Sequence, residues 1–369
     1  MAAVSDNKSP AGDAGKPHAC PEHHTGSTGS GRFRNPWPSF AGTKGFLQFL
    51  SARLFDWRSV KIPTAEEMPN VFPSVKPDFN RIRQPPKDKI QATWVGHASF
   101  LIQMDDTNIL TDPIFSERCS PVQWAGPKRM VAAPLQPAEL PNVDFVIISH
   151  NHYDHLDTGT VQQLLPKVNK WFVPLGIKSW LVDQGASKDA VIELDWWQEH
   201  VYARKDKPDI KVVCTPCQHF SGRTLFDLNT TLWASWSIIG PTRRFFFAGD
   251  TGYRSVPKDT PPADEAKLPI CPEFKEIGRR FGPFDLSAIP IGAYSPRWFM
   301  SPVHLNPEDA VDVHVDVQSR HTIGMHWGTF VLTDEPVEEP PIRLADALKQ
   351  RGLSGDAFHT LKHGETFAC

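Results

Sequence analysis

The chain is predicted to fold as an α+β sandwich: two mixed β-sheets packed together, with helices on both outer faces. Three observations predict it. From Ile90 onward, short apolar runs of strand length recur, mostly as meanders with helical stretches interspersed. Side chains suited to metal ligation stand at the polar ends of several of those runs. The length of 369 residues, with 40 % hydrophobic and 22 % charged residues, suits two modest domains or one large embellished sandwich.

Taken in order, residues 1–32 are rich in Gly, Ser, Pro and charge and are expected to form a disordered tail. Their His18, Cys20, His23 and His24 are read as part of that tail rather than as a site. Residues 33–88 form an amphipathic and proline-rich extension. It opens with Asn35-Pro36-Trp37-Pro38, after which Phe46, Leu47, Leu50, Leu54 and Trp57 recur at helical spacing. Such a helix either docks on the core or lies at a lipid interface. Pro63 to Lys89 reads as a proline-punctuated connector.

Residues 89–369 are expected to form the main folded domain. Strands are expected at Ile90–Val95, Ser99–Met104, Asn108–Leu110, Val143–Ile148, Trp171–Val173 and Val191–Leu194. Further strands follow at Lys211–Phe220, Leu232–Ile239, Arg244–Ala248, Leu286–Ile291 and Thr322–His326. Helices are expected from Thr158 and around Ile177. Another follows Asn306, which caps it with Pro307 at its first position. A last one runs from about Arg343 to Arg351 and stops at Gly352. Residues 255–272, rich in Pro, Asp and Lys, read as an inserted surface loop.

Composition excludes several function classes. A net charge of −3 gives no electrostatic case for nucleic acid. No apolar run reaches the ~18–20 residues that cross a bilayer. The six cysteines show no framework spacing and no secretory signal opens the chain, so a reducing, intracellular compartment is expected. Cys214 and Cys217 fall in a strand-like run and are read as packing residues. Twelve Trp against four Tyr point to apolar burial or a membrane interface.

The chemistry centres on His150-Asn151-His152-Tyr153-Asp154-His155, which follows the apolar run Val143–Ile148. Imidazole nitrogen and carboxylate oxygen are ligands that borderline ions such as zinc accept. His219, Asp250 and His326 close three later strands in the same way. The spacing H-x-H-x-D-H lets one loop face two ions. His150, His152 and His219 are assigned to one, Asp154, His155 and His326 to the other, with Asp250 bridging. The implied cofactor is two zinc ions per chain, and a shared water deprotonated between them is the expected nucleophile.

These motifs resemble the metallo-β-lactamase fold, an αββα sandwich. Trp94-Val95-Gly96-His97-Ala98-Ser99 and Leu110-Thr111-Asp112-Pro113 are similar to its opening motifs. The resemblance implies that Asp112 orients a ligand histidine without itself binding metal and that His97 lines the site or is buried beside it. Longer stretches narrow the match: Trp171-Phe172-Val173-Pro174-Leu175-Gly176, Phe245-Phe246-Phe247-Ala248-Gly249-Asp250-Thr251-Gly252-Tyr253 and His326-Trp327-Gly328-Thr329-Phe330. With these the chain resembles the N-acylphosphatidylethanolamine-hydrolysing phospholipase D family over residues 89–369.

The resemblance implies hydrolysis of that phospholipid to N-acylethanolamine and phosphatidic acid. It places a histidine of the active site at His304, within Pro302-Val303-His304-Leu305-Asn306, contacting phosphate or protonating the leaving group. Tyr153 is a candidate substrate contact, its alternative being packing. Trp298, Phe299 and Met300 are candidates for the mouth of a lipid cleft and for seating on a peripheral membrane surface. A homodimer is implied by the resemblance alone. The ligands by themselves also permit another hydrolase of this fold, of sugar-phosphate lactonase or nuclease type.

Overall fold

A computed structural model describes residues 31–44, 51–224 and 226–369. Residues 1–30 of the expected tail and 45–50 of the expected helix lie outside the described residues.

Fourteen strands among the described residues build two seven-stranded sheets. The first contains β1 (Gln91–Gly96), β2 (Ser99–Met104), β3 (Thr107–Thr111), β4 (Val143–Ile147), β5 (Val168–Pro174) and β6 (Val191–Leu194), in that spatial order. The second contains β7 (Glu199–Arg204), β8 (Lys207–Thr215), β9 (Ser235–Ile239), β10 (Arg244–Phe247), β11 (Phe284–Pro290), β12 (Ser319–Met325) and β13 (Phe358–His359). The last strand, β14 (Thr366–Ala368), crosses back and pairs antiparallel with β1. Antiparallel hairpins begin each sheet, and β3–β6 and β10–β13 pair in parallel.

Side-chain alternation explains why the sheets stack. Along β2, Phe100 and Ile102 join the layer between the sheets while Leu101 faces outward. Along β4, Phe145 and Ile147 point in, and Val146 meets helix residues Val161 and Leu164 outside. Trp236, Phe245 and Phe247 are fully buried in the central core cluster, as is Trp94. Helices Glu273–Phe281, Pro307–Asp316 and Glu339–Gln350 supply Ile277, Val313 and Leu344 to that cluster. Burying one such large apolar side chain contributes about 1.5–3 kcal/mol. The arrangement is the expected αββα sandwich.

Where the strands differ from expectation, local chemistry decides. The run expected as Lys211–Phe220 is strand only to Thr215, because Pro216 has no N–H for the ladder. β7 escaped sequence detection: it is an edge strand with alternate residues exposed, so no apolar run marks it. The part of the expected Gly45–Trp57 helix that is described is one wide turn, Ala52–Asp56, with Trp57 N donating to Ala52 O. Residues 255–272 carry a short helix, Pro262–Glu265, and return to the core at the buried Cys271.

Candidate metal centre

The proposed ligands converge at one rim because each parallel strand delivers a loop there. β4 leads to His150, β10 to Asp250 and β12 to His326, while β8 reaches His219 three residues after Pro216. Close approach requires glycine at two points. Gly249 has φ +59°, and a Cβ there would lie 2.6 Å from Ser149 Cβ. At Gly292 a Cβ would lie 2.2 Å from the His326 carbonyl oxygen. Three non-glycine residues of the site also adopt left-handed backbone: His97 (φ 55°), Asp112 (φ 31°) and His326 (φ 63°). Strain of about 1–3 kcal/mol at such positions persists only where surrounding structure imposes it.

The seven candidate ligands form one nest. His150 Nε2 lies 2.7 Å from His152 Nδ1, and His219 Nε2 lies 3.4 Å from that same atom. On the other side, Asp154 Oδ2 is 3.3 Å from His155 Nε2 and 3.4 Å from His326 Nε2. Asp250 Oδ2 sits between them. It is 3.1 Å from His155 and 3.0 Å from His326, against 4.0 Å from His150 and 3.9 Å from His219. His150, His155, His219, Asp250 and His326 are all at most 3 % exposed.

Supporting contacts fix which ring nitrogen faces the nest. His219 Nδ1 donates to the Val303 carbonyl at 2.8 Å, which leaves Nε2 as a lone-pair donor. His155 Nδ1 is 2.7 Å from Asp112 Oδ2, and Asp112 also accepts from the Ser149 amide and hydroxyl. Asp112 thus contacts His155 on the ring nitrogen turned away from the other candidate ligands. His97 lies inside the rim: its Nε2 is 2.9 Å from Asp154 Oδ2 and its ring centroid is 4.1 Å from that of His326.

Two features test the fit to metal. Burial pushes His150 and His219 well below the usual imidazole range, and His152 down to about 4, so all three stay neutral ligands at neutral pH. Burial also opposes charge on His326, yet Asp250 and Asp154 outweigh it and lift His326 to about 9. Paired buried carboxylates thus create a place that demands positive charge. His155 Nε2, His326 Nε2 and Asp250 Oδ1 are buried and turned into the nest without a well-aligned hydrogen bond, the arrangement expected of groups that would ligate a cation. The residues fit a metal cofactor.

A cavity of about 290 Å³ opens on the nest. His152, Asp154, Asp250, His304 and His326 form its polar floor. Phe220, Leu228, Phe299, Met300 and Leu332 form apolar walls, with Lys44 at the side. His304 hangs between two short helices and its ring centroid is 5.2 Å from that of His219. Its Nδ1 is buried without a partner, and burial takes it to about 4. Phe299 and Met300 line the cavity, whereas Trp298 packs under Lys258 at 5.1 Å. Tyr153 is not among the lining residues. Its ring lies 4.1 Å beneath the Arg223 guanidinium.

Sequence reasoning missed several participants. Lys44, Leu228, Leu332 and Arg223 approach the nest only through tertiary contacts, and Phe220 follows the candidate ligand His219 directly. The Asn35-Pro36-Trp37-Pro38 segment also buttresses it. Asn35 donates to the His219 carbonyl at 2.7 Å, and Trp37 stacks on Trp196 with 5.2 Å between centroids. Cys214 and Cys217 are buried in the core, as read from the sequence.

Comparison with known proteins places this geometry. A family model described as a β-lactamase superfamily domain matches residues 107–327. An N-acyl-phosphatidylethanolamine-hydrolyzing phospholipase D of Caenorhabditis elegans is 43 % identical over 282 residues, 74 % of this chain and 74 % of that protein. A mitochondrial protein of the same name from Saccharomyces cerevisiae is 36 % identical over 76 % of this chain and 56 % of its own length. Among solved structures, an isothiocyanate hydrolase from Delia radicum gut bacteria superposes with TM-score 0.55 at 18 % identity, covering 75 % of this chain and 98 % of that one. The metallo hydrolase Igni18 of Ignicoccus hospitalis gives 0.52 at 19 % identity, covering 76 % and 98 %. These structural matches support the sandwich, and the sequence matches go further: the chain belongs to the metallo-β-lactamase superfamily and, within it, to the N-acylphosphatidylethanolamine-hydrolysing phospholipase D family.

Proposed function

We propose that the protein is a metal-dependent phosphodiesterase that hydrolyses N-acylphosphatidylethanolamine to N-acylethanolamine and phosphatidic acid. The observation that carries this reading is the joining of a seven-ligand nest to an apolar-walled cavity, in a chain 43 % identical to a relative named for that reaction. Two zinc ions would be held, one by His150, His152 and His219 and the other by Asp154, His155 and His326, with Asp250 shared. Bound there, such ions supply positive charge that neutralises the phosphate and acidifies water.

The chain's own groups do the rest. Asp154 and Asp250 hold the negative potential that keeps cations in place, and Asp112 fixes the ring plane of His155. His304, neutral through burial, offers one N–H to a non-bridging phosphate oxygen or to the departing alkoxide. Water oxygen joins phosphorus, the phosphorus–oxygen bond to the ethanolamine breaks, and the leaving oxygen takes up a proton. Phe220, Leu228, Phe299 and Met300 keep the acyl chains beside the phosphate and exclude bulk water.

The cavity mouth supports a peripheral membrane reading. Phe226 is 86 % exposed on the loop that carries Leu228. Leu54 (66 %) and Phe55 (79 %) project beside Asp56, which pairs with Lys258 at 2.9 Å above Trp298. Exposed apolar tips of this kind suit the headgroup boundary of a bilayer. No helix among the described residues is long and apolar enough to cross a membrane.

The test is product analysis with vesicles of N-acylated and of plain phosphatidylethanolamine. N-acylethanolamine and phosphatidic acid should form from the first alone and disappear with a chelator. Equal turnover of the plain lipid, or turnover of a sugar-phosphate lactone or RNA instead, contradicts the proposal.

A further inference from the structure

Four of the seven candidate ligands ride on one short loop, residues 150–155, which has no regular secondary structure of its own. We infer that Arg223 is a positioning residue for this loop: it clamps the loop's two ends and thereby sets how tightly the centre retains metal. The inference rests on the ligand assignment above.

Three contacts converge. Arg223 Nη1 donates to the Asn151 carbonyl at 2.9 Å and to the Leu156 carbonyl at 2.7 Å. Those residues immediately follow His150 and His155. One guanidinium amino group carries two hydrogens, so both are committed to the loop. The face of the same guanidinium lies 4.1 Å from the Tyr153 ring centroid, inside the loop, and 4.9 Å from that of Trp180 on the other element packed against it.

Arg223 is itself fixed. Asp227 accepts from the backbone N–H of Arg223 at 3.0 Å and of Thr224 at 2.7 Å. Gly222 N donates to Asn151 Oδ1 at 2.8 Å, a further tie between the two loops. Freeing this six-residue ligand loop would return backbone entropy to the metal-free state, at the expense of binding.

Charge and order act in opposite directions here, which makes the inference decidable. A cation near a dication site weakens metal binding by repulsion, so a purely electrostatic Arg223 would bind metal more tightly when removed. A clamp gives the reverse sign. Outer partners of metal ligands commonly change affinity by about 10–100-fold.

The experiment follows zinc release from loaded protein into excess chelator, for the unsubstituted chain, Arg223→Ala and Arg223→Lys. Arg223→Ala should release zinc about 10–100-fold faster. Arg223→Lys, which keeps the charge and loses the planar fork, should fall between. The metal-free forms of all three should melt within a few degrees of one another. Release from Arg223→Ala at the unsubstituted rate or slower overturns the clamp, as does a metal-free form that melts far lower, since that marks a general structural role. If Arg223→Ala does not fold, unchanged release from Arg223→Lys overturns it. An unsubstituted chain that takes up no zinc removes the ligand assignment instead, and so separates that failure from this one.

Discussion

The two halves of the ligand nest are built on different principles. His150, His152 and His219 are three neutral imidazoles, supported by a hydroxyl and a backbone carbonyl: Ser149 Oγ lies 2.8 Å from His150 Nδ1, and Val303 accepts from His219. The opposite half is laden with carboxylate. Asp112 backs His155, Asp154 lies against His155, His326 and His97, and Asp250 leans toward this side by almost 1 Å. The first half resists protonation because burial disfavours charge; the second attracts protons, or cations, because two buried carboxylates demand them. The proposed pair of ions would meet one half that keeps its lone pairs free and another that supplies negative charge.

The largest effect expected is from Asp250→Ala, since this carboxylate alone spans both halves. Turnover should fall by at least about a thousandfold, roughly 4 kcal/mol, with metal content dropping below one ion per chain. If metal analysis finds both ions retained, the shared role of Asp250 is broken.

His304→Ala separates chemistry from metal holding. Turnover should fall about 100- to 1,000-fold while metal content stays that of the unsubstituted protein, in keeping with a group that moves or donates a proton. Loss of metal from this variant would make His304 a ligand, a role its proximity to His219 and Asp250 leaves room for.

Asp112→Asn sharpens the contrast between halves. It should weaken the ion proposed for Asp154, His155 and His326 by about 10–100-fold, and the other less, because Asp112 reaches His150 only through Ser149, giving two-phase release to a chelator. A single phase would mean that the halves act as one.

The proposed lipid face should respond more weakly. Replacing Phe226, Leu54 and Phe55 by Ser should raise the apparent KM on vesicles about tenfold, since each tip contributes about 1 kcal/mol or less by partial burial. Turnover of a short-chain, monomeric substrate should not change. Equal loss on both substrates would place these residues in folding rather than in lipid contact.

The smallest effect lies far from the rim. Glu276 is held down to about 2 from its usual 4.5, by hydrogen bonds from Arg279 first and Arg280 next. Because the folded value is depressed, its stabilisation is full above about pH 4.5 and is lost as pH falls toward 2. Arg279 is well exposed, so Glu276→Gln should cost under about 1 kcal/mol at pH 7, and the two proteins should converge in acid denaturation near pH 2. A difference that persists there points to packing.

How much of this was legible beforehand follows from where the information resides. Strands such as Phe245–Phe247 announce themselves because both faces are covered, and Asp250 or His326 stand out as polar residues ending apolar runs. The helix after Asn306 was legible from its cap, whose side chain accepts from Asp309 N at 3.0 Å. Arg223 gave no local signal, because its meaning lies in two carbonyls about seventy residues away in sequence. β14 was equally silent: three half-exposed residues acquire their role only by pairing with β1 across the whole chain. Tyr153 had the right sequence neighbourhood and a different orientation, turned to Arg223 instead of the cavity.

The most direct test of the account is hydrolysis of N-acylphosphatidylethanolamine in water enriched in oxygen-18, with both products weighed by mass spectrometry. Attack on phosphorus predicts one heavy oxygen in phosphatidic acid and none in the N-acylethanolamine. Heavy oxygen in the N-acylethanolamine, or no product from this lipid at all, would contradict it.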